Sequence, residues 1–250
     1  TTFEVDENTG ALKSLCLDGE ELLASPVTIS LFRPATDNDN RDRMGAKLWR
    51  KAGLHTLTQK VVSLKESKTS ATAQVNILNV TGKKVGDATL EYTLNHNGSL
   101  KVQTTFQPDT TWVKSIARLG LTFEMNDTYG NVTYLGRGEH ETYIDRNQSG
   151  KIGIYTTTPE KMFHYYVIPQ STGNRTDVRW VKLADDSGKG CWIESDSPFQ
   201  FSALPFSDLL LEKALHINDL ERNGRITVHL DAKQAGVGTA TFTFTIYPVK

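Results

Sequence analysis

Cysteine is scarce in this sequence. Cys16 and Cys191 are the only two in 250 residues, too few and too far apart for a disulfide framework or a closed zinc site. They are expected as buried thiols, not as a bridge. An excess charge of one sign is also lacking. The 28 Lys and Arg are matched by 29 Asp and Glu, so no basic field exists to neutralise phosphates, and nucleic acid is excluded as a partner. No apolar run approaches the roughly 20 residues of a membrane-spanning helix, so no membrane partner is expected. The opening residues, Thr1-Thr2-Phe3-Glu4-Val5-Asp6, have neither the basic region nor the apolar core of a signal peptide. They also lack an initiator Met, so the chain is expected to be a piece of a longer one, cytoplasmic or periplasmic. The 6 His are scattered, with no His-x-x-x-His pair. No Gly-x-Ser-x-Gly elbow, phosphate-binding loop or dinucleotide fingerprint occurs.

What is present is strand rhythm. Val27 to Phe32, Leu57 to Val61, Ala71 to Ile77, Ala88 to Leu94, Leu100 to Phe106 and Ile116 to Phe123 read as β-runs, most of them alternating apolar and polar residues. Val132 to Leu135, Val178 to Leu183, Gly190 to Ile193, Phe199 to Leu204, Ile226 to Leu230 and Phe242 to Ile246 add more. Turn clusters such as Asp18-Gly19, Asn95-His96-Asn97-Gly98 and Asp185-Asp186-Ser187-Gly188 separate the strands. Met44 to Gly53 and Ser207 to Leu215 predict short helices, the second capped by Ser207 or Asp208. No Pro/Gly/Ser-rich linker divides the chain. The expectation is one all-β domain over residues 1–250, a large antiparallel sandwich with one or two short helices. Sequons at Asn79, Asn97, Asn126, Asn131, Asn147 and Asn174 are what an Asn- and Thr-rich chain supplies by chance, and they are not read as glycosylation.

Two segments break the rhythm. One is Gly136-Arg137-Gly138-Glu139-His140-Glu141-Thr142-Tyr143-Ile144-Asp145-Arg146. The other runs Pro169-Gln170-Ser171-Thr172-Gly173-Asn174-Arg175-Thr176-Asp177-Val178-Arg179-Trp180. Loops dense in hydrogen-bonding groups on a rigid β-scaffold are where function tends to sit. On an extended backbone Glu139 and Glu141 share one face at about the 5 Å spacing of a retaining glycosidase pair. Arg137 and Arg146 nearby are expected to hold both carboxylates ionised, which is wrong for a general acid. An Arg–Glu network fixing a buried loop is the better account. His140 falls on the opposite face, so no metal site is expected. Arg175, Asp177 and Arg179 are expected on one strand face, as a salt-bridge ladder or a polar floor for a sugar. Trp180, Tyr143 and Tyr165 could stack on a sugar ring, though a core role is the commoner one for each. Asp37-Asn38-Asp39-Asn40 fails as a calcium loop, because Arg41, Asp42 and Leu48 occupy its diagnostic positions. Asx-turn chemistry accounts for it better.

These segments also carry a resemblance. Leu31-Phe32-Arg33-Pro34-Ala35-Thr36-Asp37-Asn38-Asp39, then Trp49 and Ala52-Gly53, resemble the start of the C-terminal β-sandwich of family 2 β-galactosidases. The two dense segments resemble that domain's signatures. Phe199-Gln200-Phe201-Ser202-Ala203, His216 and Asp231-Ala232-Lys233-Gln234-Ala235-Gly236-Val237-Gly238 follow in the same order. The resemblance implies a supersandwich of the galactose mutarotase type. It implies that the acid/base and nucleophile glutamates lie on a separate (β/α)8 barrel, so no catalytic residue, metal or cofactor is assigned to this chain. Implied partners are that barrel and other domains of the same enzyme, its β-galactoside substrate, and further copies where the intact enzyme is an oligomer. Glu139 and Thr142 stand where the family often has Pro and Asn. The family's loop toward the active site is short after Gly238, as though residues were missing from it.

The expected sugar-groove or domain-interface residues are therefore Arg137, Glu139, His140, Glu141, Tyr143, Arg146, Asn174, Arg175, Asp177 and Arg179. Two other readings remain open. A mutarotase-like epimerase would use Glu139, Glu141, His140 or His164 as acid and base. A carbohydrate-binding module would bind without chemistry.

Overall fold

The computed structural model describes residues 1–41, 45–234 and 237–249. A small antiparallel sheet of β1 (Thr2–Val5), β2 (Leu12–Leu17) and β3 (Glu20–Glu21) opens the chain. Leu17 pairs with Glu20 across a two-residue loop in which Asp18 has φ 53° and Gly19 φ 86°. Both values are positive, as a type I′ hairpin requires, so the Asp-Gly signal is borne out. After β4 (Thr28–Ser30) and α1 (Ala46–Lys51), four strands run as a meander. These are β5 (Leu57–Glu66), β6 (Ser70–Asn79), β7 (Lys84–Leu94) and β8 (Leu100–Pro108). Then come β9 (Arg118–Asn126), β10 (Asn131–Gly138), β11 (Lys151–Thr157), α2 (Pro159–Met162), β12 (Arg175–Ala184), β13 (Gly190–Leu204), α3 (Asp208–Lys213), β14 (Arg225–Gln234) and β15 (Ala240–Val249).

The large sheet runs β11-β10-β12-β13-β15-β8-β7-β6-β5 and forks at β13. One edge of β13 meets β12. Along the other edge Gly190–Ser195 pair with β15, while Gln200–Leu204 pair with β14. β14 then leads through β9 to β4. The fork splits one hydrogen-bonded sheet into two arms, and the result is a large antiparallel supersandwich. Inward positions of β6 (Ala71, Ala73, Val75, Ile77) and of β14 (Ile226, Val228, Leu230) belong to one continuous buried cluster. The chain thus carries its own core, as an independently folding unit needs.

Five readings of the sequence change. Gly190 to Ile193 and Phe199 to Leu204 are halves of one 15-residue strand. The backbone between them stays extended while it exchanges neighbours. β11 was not expected, because it is an edge strand whose Ile152 and Ile154 are 47% and 66% exposed. The helix expected from Met44 is shorter, Ala46–Lys51, and Met44 lies outside the described residues. Cys16 is half-buried, while Cys191 is fully buried and burial pushes its thiol up to about 12. The helix expected at Ser207 is present, with the Ser207 hydroxyl accepting from the Leu210 N–H. At Asp39 the side chain bonds backward to Thr36 and Arg33, not forward as an Asx-turn would. Its carboxylate accepts from Thr36 N–H at 2.9 Å and from the Arg33 guanidinium at 2.6 and 3.1 Å.

Candidate functional site

The two dense segments meet and stitch to each other. Glu141 is the hub. Its buried carboxylate accepts from the Gly173 N–H at 2.8 Å, the Thr172 hydroxyl at 3.2 Å, the Tyr166 hydroxyl and the Arg146 guanidinium. Burial alone would raise its pKa, but the bonds from Tyr166, Gly173 and Arg146 outweigh that and hold it below the ordinary glutamate value. Arg146 also lies over the Tyr143 ring, 5.0 Å from its centroid, and the Tyr143 hydroxyl is 3.2 Å from that of Ser171. Burial raises the Tyr143 phenol, which stays protonated. Asn174 donates to the Thr142 carbonyl and the Gln200 side chain, both at 2.8 Å. The Thr142 N–H returns a bond to the Asn174 carbonyl, also at 2.8 Å.

Arg175 is 2% exposed and forms no ion pair among the described residues. It spends its donors on the Tyr134 hydroxyl at 2.9 Å and on the carbonyls of Gly173 at 3.0 Å, Asn174 at 3.3 Å and Glu139 at 3.0 Å. That corrects the expected Arg175–Asp177–Arg179 face. Asp177 sits at φ 52°, and the β12–β13 register shifts between Arg175 and Val178. This bulge breaks the alternation. Asp177 instead pairs with Arg137, whose other arm reaches the Gly150 carbonyl at 3.0 Å, and Arg179 donates to the Asp177 carbonyl.

Glu139 and Glu141 do not share a face, because Glu139 is exposed and Glu141 buried. Nor does Arg137 hold Glu139; among the described residues only Glu141 of the two carboxylates is ion-paired, to Arg146. His140 is exposed against Ser149 at 2.9 Å, and His164 is exposed against the Tyr166 ring. Tyr165 is 56% exposed. Trp180 is neither core nor free: it is half-buried and stacks on Trp192 with centroids 4.0 Å apart. The Arg–Glu network is thus narrower than the sequence implied, and most of the candidate residues are tied into holding the loops.

A second polar constellation was not read from the sequence. In the β13-β14-β9-β4 arm, Ser202, His229, Thr122 and Thr28 form one cross-strand row. Gln200, Asp231, Gly120 and Ser30 form the next row on that face, and Thr227 pairs with Glu124 on the other side. The opposite face carries Ile29, Leu121, Val228, Leu230 and Phe201, all in the core. Antiparallel sheets commonly wet one face, yet here the polar face is buried as well. His229 is 2% exposed, Asp231 3% and Ser202 4%. α3 and Arg118 complete the cluster. His229 Nε2 lies 3.3 Å from Asp208, and Arg118 lies 3.7 Å from Asp208 and 3.5 Å from Asp231. Burial raises Asp231, and Arg118 offsets this only in part. Burial also acts on Asp208, but His229 and Arg118 outweigh it and keep Asp208 low. The signal was available: Ile226-Thr227-Val228-His229-Leu230-Asp231 alternates, and only its apolar half was used.

Gly120 shows how tightly this cluster is seated. A Cβ there would fall 2.2 Å from the Leu230 carbonyl oxygen and 2.6 Å from the Asp231 carboxylate. Gly120→Ala is expected to lower stability by about 2 kcal/mol, as overpacking does. It should lower the urea midpoint at an unchanged slope. Among the described residues no group of three or more His, Cys, Asp or Glu could hold a metal ion. None of their helices is long and apolar enough to cross a membrane.

Fold and loops together define a large antiparallel β-supersandwich whose charged loops are committed mainly to one another. The solved structure of HI1317 shares the fold, with a TM-score of 0.50 at 10% identity over 98% of this chain and 88% of its own. The GalM/aldose epimerase homologue from C. elegans aligns over 97% of this chain and 80% of its own, at a TM-score of 0.41 and 13% identity. In sequence, the chain is 31% identical over 240 residues to a β-galactosidase of Priestia megaterium, covering 93% of this chain and 22% of that protein. It is 30% identical over 237 residues to the β-galactosidase BgaC of Bifidobacterium adolescentis, covering 92% and 22%. The profile of the beta galactosidase small chain family matches residues 1–248. The chain belongs to that family, and it spans less than a quarter of the length of these β-galactosidases.

Proposed function

We propose that residues 1–250 are one domain, the C-terminal sandwich of a β-galactosidase that hydrolyses terminal β-galactosides with retention. In this reading the chemistry belongs to a catalytic barrel elsewhere in the polypeptide. The sandwich walls the active site, excludes water and buttresses the barrel and any subunit contacts. The observation that carries the reading is the coverage. Nearly the whole chain aligns with about a fifth of the Priestia megaterium β-galactosidase, which leaves ample length for a barrel. The dense loops suit a wall, because Glu141 and Arg175 are saturated with internal partners. Arg137, Glu139, His140, Glu141, Tyr143, Arg146, Asn174, Arg175, Asp177 and Arg179 then shape a surface toward the barrel or sugar, Arg175 and Glu141 from beneath.

The purified chain is expected to release nothing from a chromogenic β-galactoside. Deleting it from the full-length enzyme is expected to lower kcat/KM at least about a hundredfold, the scale on which lost positioning acts. Turnover by the chain alone would overturn the proposal, as would full kcat/KM in the deleted enzyme.

A further inference from the structure

The polar face of the β13-β14-β9-β4 arm opens into a groove with a cavity volume of about 430 Å³. That is the size of a small-molecule site. Thr28, Thr122, Thr227 and His229 form its floor, with His55 and Asp208 beside them and Leu31, Phe32 and Leu57 as apolar wall. Three polar atoms of its lining residues hydrogen bond to nothing among the described residues: both ring nitrogens of His229 and Nδ1 of His55. His229 lies within ion-pair distance of Asp208, but without hydrogen-bond geometry. Buried polar atoms are nearly always satisfied in native proteins, and leaving one bare is costly. Three of them on two histidines of one groove point to a ligand.

We propose that this groove binds a neutral polyhydroxylated molecule of monosaccharide size. Charge decides against an ionic ligand. The Asp208 carboxylate is already shared by Arg118 and His229, and that of Glu124 by Arg225 at 2.7 Å. An anion would meet two carboxylates, and a cation would find both of them matched. Hydroxyls suit what remains. Imidazole nitrogens and threonine hydroxyls supply donors, and the hydroxyls accept as well. The apolar wall suits the C–H face of a sugar. The inference stands on this face alone and does not depend on the enzyme proposed above.

The test is a titration of the ¹⁵N-labelled chain with D-galactose, D-glucose and glycerol, followed by amide NMR, which reports the fold in the same spectra. Saturable shifts confined to β4, β9, β14 and α3 are expected with a hexose. Galacturonate and galactosamine should bind more weakly. His229→Gln should weaken binding about tenfold, the equivalent of one good hydrogen bond. Thr28→Trp, which fills the groove from the half-buried end of its polar row, should abolish it with the rest of the spectrum preserved. The proposal is overturned if no hexose gives saturable shifts, if the shifts fall elsewhere, or if Thr28→Trp binds as well as the parent.

Discussion

Arg175→Met is expected to cost about 3–5 kcal/mol of unfolding free energy, the sum of the polar groups it leaves without a donor. The side chain is 2% exposed, so no water can take over its duties. Its removal leaves the Gly173 and Glu139 carbonyls and the Tyr134 hydroxyl without the donor they share. Each orphaned buried group costs about 1–3 kcal/mol. The Asn174 carbonyl is spared because it also accepts the Thr142 N–H. Met fills much of the volume, so packing loss is the smaller part. For a chain this long, the drop in Tm should be roughly 10 °C. Arg175→Lys should recover less than half of the loss, since one ammonium cannot span acceptors set for a planar fork. Arg179→Met on the same strand is the comparison. That half-buried residue donates to the Asp177 carbonyl and should cost under about 1 kcal/mol. Equal losses at the two positions would refute the role assigned to Arg175.

Arg175 also marks where the sequence could and could not be read. Strand rhythm located β6, β8 and β14 because apolar and polar residues largely alternate along them. The Asp18-Gly19 hairpin was legible because only a few residues accept positive φ in succession. The same rule hid the Arg175 site. Asp177 adopts φ 52° inside a strand, where alternation gives no warning of a bulge, and every face assignment through it fails. β13 looked like two strands because Ser195-Asp196-Ser197-Pro198 is polar and contains proline, yet the backbone stays extended there while it changes partners. The pairing of Glu141 with Arg146 was legible from proximity, whereas that of Arg137 with Asp177 spans 40 residues and was not. The polar face around His229 escaped for a different reason. Its members come from four strands and a helix, and only the sheet order brings them into one row.

Glu141→Ala is expected to cost about 3 kcal/mol at neutral pH and less in acid. At neutral pH the truncation strands the Gly173 N–H, the Thr172 and Tyr166 hydroxyls and the Arg146 guanidinium. Arg146 is half exposed and rehydrates, so the loss comes mainly from the buried donors. The pH dependence follows from the direction of the shift. The folded carboxyl titrates below its ordinary value of 4.5, so as pH falls the unfolded chain takes up the proton first. The stabilisation is therefore fully present above about 4.5 and is lost as pH drops through the folded value. Parent and Glu141→Ala curves of unfolding free energy should lie farthest apart at neutral pH and draw closer together below that point. Glu141→Gln separates charge from shape. It keeps one acceptor but turns an amide NH₂ toward donors, so it should lose about half as much and show none of the acid-dependent convergence. If the gap between parent and Glu141→Ala is unchanged from neutral pH to acid, the carboxylate is not the hub that joins the two loops. In that case the loops are held by their other bonds, those of Asn174 and Thr176 to Thr142, of Arg175 to Glu139 and of Tyr143 to Ser171.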